Sequence, residues 1–171
     1  LGLAPDMDDA KANKAAVDLQ VYAAASLKTA LAKAAETYGA ANPGVTITAS
    51  TDSSAALETK IEQGAPADVF LSADTTNPQK LVDAGLAGGD PVVFAGNRLV
   101  IAVPAGGSQI SSLADLEKPG VKVAMGSASV PVGTYTRKVL SGLPGADSAK
   151  ILANVRSEEP DVAGIVGKLT Q

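Results

Sequence analysis

Four short stretches place serine, threonine, alanine or glycine where the apolar pattern passes from a strand into a helix: around Ser26, at Ser53-Ser54, across 127–132 and across 157–162. The first turn of a helix carries N–H groups with no acceptor inside the helix, and the helix dipole makes that end positive. Small hydroxyl residues at such a start suit an anion. Plain capping accounts for the same residues, since serine is also a favoured N-cap. Two carboxylates suggest another chemistry: Asp68 and Asp74 bracket Val69-Phe70-Leu71, and paired carboxylates at strand ends hold Mg²⁺ in enzymes where they converge. Spacing across a strand does not itself bring them together. Glu158, Glu159 and Asp161 precede the last apolar helix pattern, where acidic side chains complement the positive helix end.

The elements that must position these residues follow from periodicity. Leu19 to Tyr38 reads as a buried strand passing through three alanines into Ser26, with Leu27, Ala30, Leu31, Ala34, Ala35 and Tyr38 at helical spacing after it. Ser26 is then the expected N-cap. Val45 to Ala49 alternates as a strand, and Ser53 or Ser54 caps a helix carrying Leu57 and Ile61 that Gly64 stops. Val69 to Leu71 is a short buried strand, followed by a helix from Pro78 to Ala84 closed by Gly85. Val92-Val93-Phe94 and Arg98 to Pro104 are nearly continuous apolar runs, which predicts strands covered on both faces. Leu113 to Leu116 is a short helix, Val121 to Met125 a strand, and 126–134 a small-residue loop into a helix around Tyr135 to Leu140. Ile151 to Val155 reads as a strand, and Val162, Ile165, Val166 and Leu169 mark a last helix. Strands alternating with helices predict an α/β architecture with mostly parallel sheets, whose ligand sits at the loops after the strands.

Composition narrows the function. The chain has 171 residues, 46% of them hydrophobic, enough for a sizeable core in one domain or two small ones. It has neither cysteine nor histidine, which removes thiol nucleophiles, Ser-His relays, the usual zinc sites and the neutral-pH proton shuttle together. A net charge of −4, no basic run and few aromatic residues argue against a nucleic-acid partner, while a small anion held by neutral donors remains open. No apolar run reaches the roughly 18 to 20 residues of a membrane span. Residues 1–17 read as a flexible leader, and no intact signal peptide is visible, so any export signal is expected to have been removed.

Several motifs resemble one family. Tyr22-Ala23-Ala24-Ala25-Ser26-Leu27, then Ser53-Ser54 with Leu57 and Ile61-Glu62, then Gly64-Ala65-Pro66-Ala67-Asp68-Val69-Phe70-Leu71-Ser72-Ala73-Asp74 are similar to the signatures of molybdate-binding proteins, the extracytoplasmic receptors of bacterial ABC uptake systems. Gly96-Asn97-Arg98-Leu99-Val100, Val130-Pro131-Val132-Gly133-Thr134-Tyr135 and Asp161-Val162 follow in the same order, so the resemblance spans 19–171. It implies a two-lobed periplasmic-binding-protein-like (type II) fold, with 18–95 in the first lobe and 96–171 in the second. It further implies that Ser26 and Ser54 give hydroxyl and amide donors, that Val132 and Val162 give amides, and that molybdate or tungstate is the ligand. Molybdenum is then met only as its oxyanion, with no directly ligated metal, no cofactor and no catalysis.

The same resemblance implies delivery to a membrane permease and a location in the periplasm or on the outer face of the cell membrane. Position 132 is commonly alanine in relatives. Relatives also continue past Gln171 with a strand carrying an anion-contacting tyrosine and a return to the first lobe, so this chain is expected to be a fragment with an incomplete first lobe, exposed apolar surface and self-association; Tyr135 does not replace that tyrosine. A receptor for sulfate or thiosulfate is the nearest rival, and a Mg²⁺-dependent phosphate-handling enzyme using Asp68 and Asp74 is another. An intracellular sensor domain would need a DNA-binding segment, for which 1–17 is too short and too acidic.

Overall fold

The computed structural model describes residues 16–169. The first sheet contains β1 (Val17–Ala24), β2 (Val45–Asp52) and β3 (Val69–Leu71), all parallel, in the order β2-β1-β3. Only β1 has a neighbour on both sides, which explains why its residues are the ones sealed from water. Val21 and Ala23 are buried there with Leu31 of helix α1 (Lys28–Ala41), and Leu19, Leu27, Ile47 and Leu71 pack around them. Parallel neighbours require crossovers, and these are α1 between β1 and β2 and α2 (Ser54–Glu62) between β2 and β3. Leu57 of α2 is 1% exposed, a burial that contributes about 1.5–3 kcal/mol.

Helix ends follow their local chemistry. Ser53 caps α2, its Oγ accepting from the Ala56 N–H at 3.2 Å. Gly64 ends the same helix with φ +91°, where its N–H donates to Ile61 O and that of Ala65 to Lys60 O, the paired bonds of a Schellman turn. Gly85 repeats this after α3 (Thr76–Asp83), with φ +71° and donation from Leu86 to Leu81 O. Glu58, buried on α2, meets Lys80 of α3 at 3.5 Å and ties the two helices.

The second sheet has two parallel strands, β4 (Val123–Gly126) and β5 (Val155–Glu159), linked by α4 (Pro131–Ser141) and α5 (Gly145–Ala153). A 3₁₀ turn at Leu113–Glu117 precedes it, with Ser112 and Asp115 forming a reciprocal capping box. The last helix, α6 (Val162–Leu169), packs on β4 and reaches the 3₁₀ turn Ala25–Leu27 that follows β1, so the two sheets meet there. No helix among the described residues is long and apolar enough to cross a membrane.

The structure corrects several expectations. The two runs at 92–94 and 98–104 are not strands covered on both faces: they have no regular structure, with Val92 82% and Val100 82% exposed. Extended backbone becomes a strand only where a neighbour takes its hydrogen bonds, and among the described residues no strand lies alongside. Ile151 belongs to α5, not to a strand; it is 1% exposed against the turn before β4, and the strand begins only at Val155. Pro144 is the N-cap of α5. Helix α4 starts at Pro131, four residues before Tyr135, with proline at the position where a missing N–H costs nothing. Of the expected leader, 1–15 lie outside the described residues, and Val17 already pairs in β1, with its N–H donating to Gly44 O at 2.8 Å.

Candidate functional site

β1 passes directly into a 3₁₀ turn, β2, β4 and β5 pass into helices through one, four and two residues, and the residues at those junctions line one cleft of about 1870 Å³. Its wall includes Ser26, Ser54, Val132 and Val162, and continues to the unpaired stretch around Phe94 and Val100. That volume is far more than one small anion fills, so the junctions, not the whole cleft, are the candidate site.

Ser26 does not cap a helix. It sits within the 3₁₀ turn Ala25–Leu27, where Ala24 and Leu27 hold the cap positions and no side chain caps either end. The run of alanines carries the strand directly into that turn. Ser26 is exposed, and its hydroxyl makes no hydrogen bond among the described residues. Ser54 is its opposite in environment: 1% exposed at the first position of α2, with Oγ accepting from the Ala73 N–H at 2.9 Å. A hydroxyl has one proton and two lone pairs, so accepting from Ala73 leaves the Ser54 proton to be donated elsewhere.

Val132 occupies the second position of α4, behind Pro131, and Val162 opens α6. Among the described residues, the N–H groups of Ser26, Ser54, Val132 and Val162 have no acceptor. The four amides can only donate and each hydroxyl has a proton to give, and at Ser54, Val132 and Val162 the amides belong to the positive first turn of a helix, an arrangement that stabilises an anion without a formal cation in contact with it.

Neighbouring carboxylates support the loops. Asp52 accepts from Lys60 Nζ at 2.9 Å and from the Ser53 N–H at 2.7 Å. The Lys60 hydrogen bond, with the Ser53 amide, holds its carboxyl below the usual carboxylate range against a smaller opposing effect of burial. Asp161 accepts from the Gly164 N–H at 2.7 Å, so it alone of the three acids expected at the last helix start serves there. Glu158 and Glu159 lie on β5 instead. Glu158 pairs with Arg137 at 2.6 Å, while Glu159 pairs with Ser157 and faces Lys168.

Asp68 and Asp74 do not form a Mg²⁺ pair. Asp68 Oδ2 accepts from the Gln20 N–H at 2.7 Å before β3, and Asp74 lies past the other end of that strand, accepting from Ser72 Oγ and from the Asn77 N–H and side-chain amide. No group of three or more acidic residues able to hold a metal occurs among the described residues. The link from Ala73 to Ser54 and the Arg137 contacts were not legible in the sequence. The Ser72-Ala73-Asp74 turn is the signal that precedes the first, and nothing in the spacing of Arg137 marks the second.

Parallel α/β sheets whose strand ends pass into loops lining a shared cleft place a ligand site at those loops. The chain belongs to the family of bacterial extracellular solute-binding proteins, which it matches over residues 19–169. That family comprises solute-binding proteins rather than enzymes. The chain is 39% identical to the molybdate-binding protein ModA of Mycobacterium tuberculosis over 166 residues, which is 96% of this chain and 61% of that protein's length. Among solved structures, it superposes on the periplasmic molybdate-binding protein of Azotobacter vinelandii with TM-score 0.64 at 23% identity, covering 88% of this chain and 66% of the other. The sulfate-binding protein SubI of Mycobacterium tuberculosis matches with TM-score 0.72 at 15% identity, covering 91% and 61%. At these identities the two structures establish the fold alone.

Proposed function

We propose that this chain binds molybdate, with tungstate as an equivalent ligand, outside the cytoplasmic membrane for delivery to the permease of an ABC importer. The observation that carries the reading is the set of unpaired N–H groups at Ser26, Ser54, Val132 and Val162, all lining one cleft. The 39% identity to a molybdate-binding protein supports the choice of anion. Residues 18–95 and 96–171 form the two lobes, each contributing two of the four donor positions, and export with removal of a signal accords with the extracellular family.

The four backbone amides offer no acceptor to a protonated oxyanion, so they favour a fully ionised dianion such as molybdate over hydrogen phosphate. Sulfate carries the same charge in a smaller ion and is the rival that the measurement must separate. Calorimetric titration of the 171-residue chain with molybdate, tungstate, sulfate and phosphate tests the reading. Molybdate and tungstate are expected to bind alike and more tightly than the others; tighter sulfate binding would replace the ligand, and no binding of any of the four would refute the function.

The apolar stretch from Val92 to Val103 gives this chain a second property, association with another copy of itself. Val92, Val93, Phe94 and Val100 are all more than half exposed, and Arg98 is the only charge between them. Exposed β-prone segments with so little charge pair with their own kind. Sedimentation at rising concentration is expected to show dimers or larger species that Val100→Lys reduces; a monomer throughout would refute the association.

A further inference from the structure

We infer that Arg137 is a positioning residue that holds the Val132 and Val162 amides in a common register, without touching the anion. This rests on the anion-binding reading above. Arg137 lies on α4, and its side chain is 30% exposed. Its Nη1 donates to Gly126 O at 2.9 Å and to Gly133 O at 3.3 Å, while Nη2 donates to Glu158 Oε1 at 2.6 Å. One planar guanidinium therefore joins the end of β4, the first turn of α4 and β5. Two of these elements lead directly into the donor positions: Gly133 follows Val132, and Glu158 stands four residues before Val162.

The backbone at this junction is packed with no room to spare. A Cβ added at Gly126 would meet Gly133 N and Val132 Cγ1 at 2.6 Å, and one added at Gly133 would run into Ser127 O. Strand end and helix start are thus in direct backbone contact, and small rotations of one are transmitted to the other. Two more bonds set the peptide planes: Thr136 Oγ1 donates to Val132 O at 2.7 Å, and the Ser127 N–H donates to Glu159 O at 2.9 Å. Arg137 adds a constraint between them, because among the described residues it alone bonds α4, the end of β4 and a β5 side chain at once. Five donors in a fixed fork suit that task, and a lysine ammonium on a flexible stem satisfies it only in part.

The test compares Arg137→Ala, Arg137→Lys and Lys138→Ala in the 171-residue chain. Molybdate titration is expected to show roughly 10- to 100-fold weaker binding for Arg137→Ala, the size that supporting partners carry at metal sites. Arg137→Lys recovers part of that loss, and Lys138→Ala, which removes the neighbouring exposed charge, leaves affinity unchanged. A loss as large in Lys138→Ala would assign the effect to bulk charge and overturn the inference.

A second readout needs no ligand. Amide hydrogen exchange in ligand-free Arg137→Ala, measured where the protein remains folded, is expected to speed up in 127–134 and 160–164 more than in 45–62. Unchanged exchange in those segments overturns the inference even if the wild type binds molybdate, whereas wild-type protein that binds no oxyanion refutes the functional reading itself.

Discussion

Replacing Ser26 and Ser54 separately by alanine distinguishes an anion donor from a structural hydroxyl. Both positions lose one donor to the proposed oxyanion, and a hydrogen bond to a charged group contributes about 1.5–3 kcal/mol, or roughly 10- to 150-fold in Kd. Their effects on folding differ. Ser26 is exposed and its hydroxyl makes no hydrogen bond among the described residues, so Ser26→Ala falls within the roughly 0.5 kcal/mol of a neutral surface change. Ser54 is 1% exposed and its Oγ takes the Ala73 N–H at 2.9 Å. Ser54→Ala removes a part-buried hydrogen bond that ties α2 to the turn after β3, at a cost of about 0.5–1.5 kcal/mol. Urea unfolding without ligand and calorimetric titration with molybdate, run on the same two variants, read the two quantities independently. Wild-type affinity in Ser26→Ala would refute its role as a donor, and wild-type stability in Ser54→Ala would refute the tie to Ala73.

Further outcomes follow from the same geometry. Leu57→Ala removes a side chain that is 1% exposed between α2 and the first sheet, and is expected to lower unfolding free energy by about 2–5 kcal/mol in urea titrations; a loss under about 1 kcal/mol would mean that the helix is not packed as described. Asp52 binds its proton less tightly in the folded protein, because Lys60 and the Ser53 amide favour the carboxylate. Its stabilisation is therefore complete above the unfolded value of about 3.9 and is lost as pH falls through the lower folded value. Thermal midpoints measured between about pH 5 and about pH 2 are expected to fall more steeply for wild type than for Asp52→Asn, and equal slopes would remove Asp52 from the account. Molybdate affinity is expected to stay nearly flat from pH 6 to 8, since the chain has no histidine and Lys150, held by Glu117 and Asp147, is shifted up, away from that range; a steep calorimetric pH dependence would contradict a site built from neutral amides and hydroxyls.

What the sequence determined by itself is the chemistry that acts over a few residues. A cap at Ser53 or Ser54, and Gly64 and Gly85 as helix stops, were legible because capping bonds and left-handed turns form between near neighbours, and the α/β alternation was legible from local periodicity. The loops at Ser26, Ser53-Ser54, 127–132 and 157–162 were legible as lying near helix starts for the same reason, although Ser26 proved to lie within a turn and α4 began at Pro131, inside the expected loop. Tertiary structure decided whatever required a distant partner. Val92 to Pro104 has the composition of a covered strand yet lacks the neighbour that would make it one. Ile151 is apolar in either a strand or a helix, and packing against the 3₁₀ turn before β4 selected the helix. The Ser54 hydroxyl acquired its orientation from Ala73, and Arg137 its three acceptors from two strands and its own helix. Periodicity and capping are local properties of a chain, but a strand's partner, a hydroxyl's direction and a guanidinium's acceptors are set by what folding brings alongside.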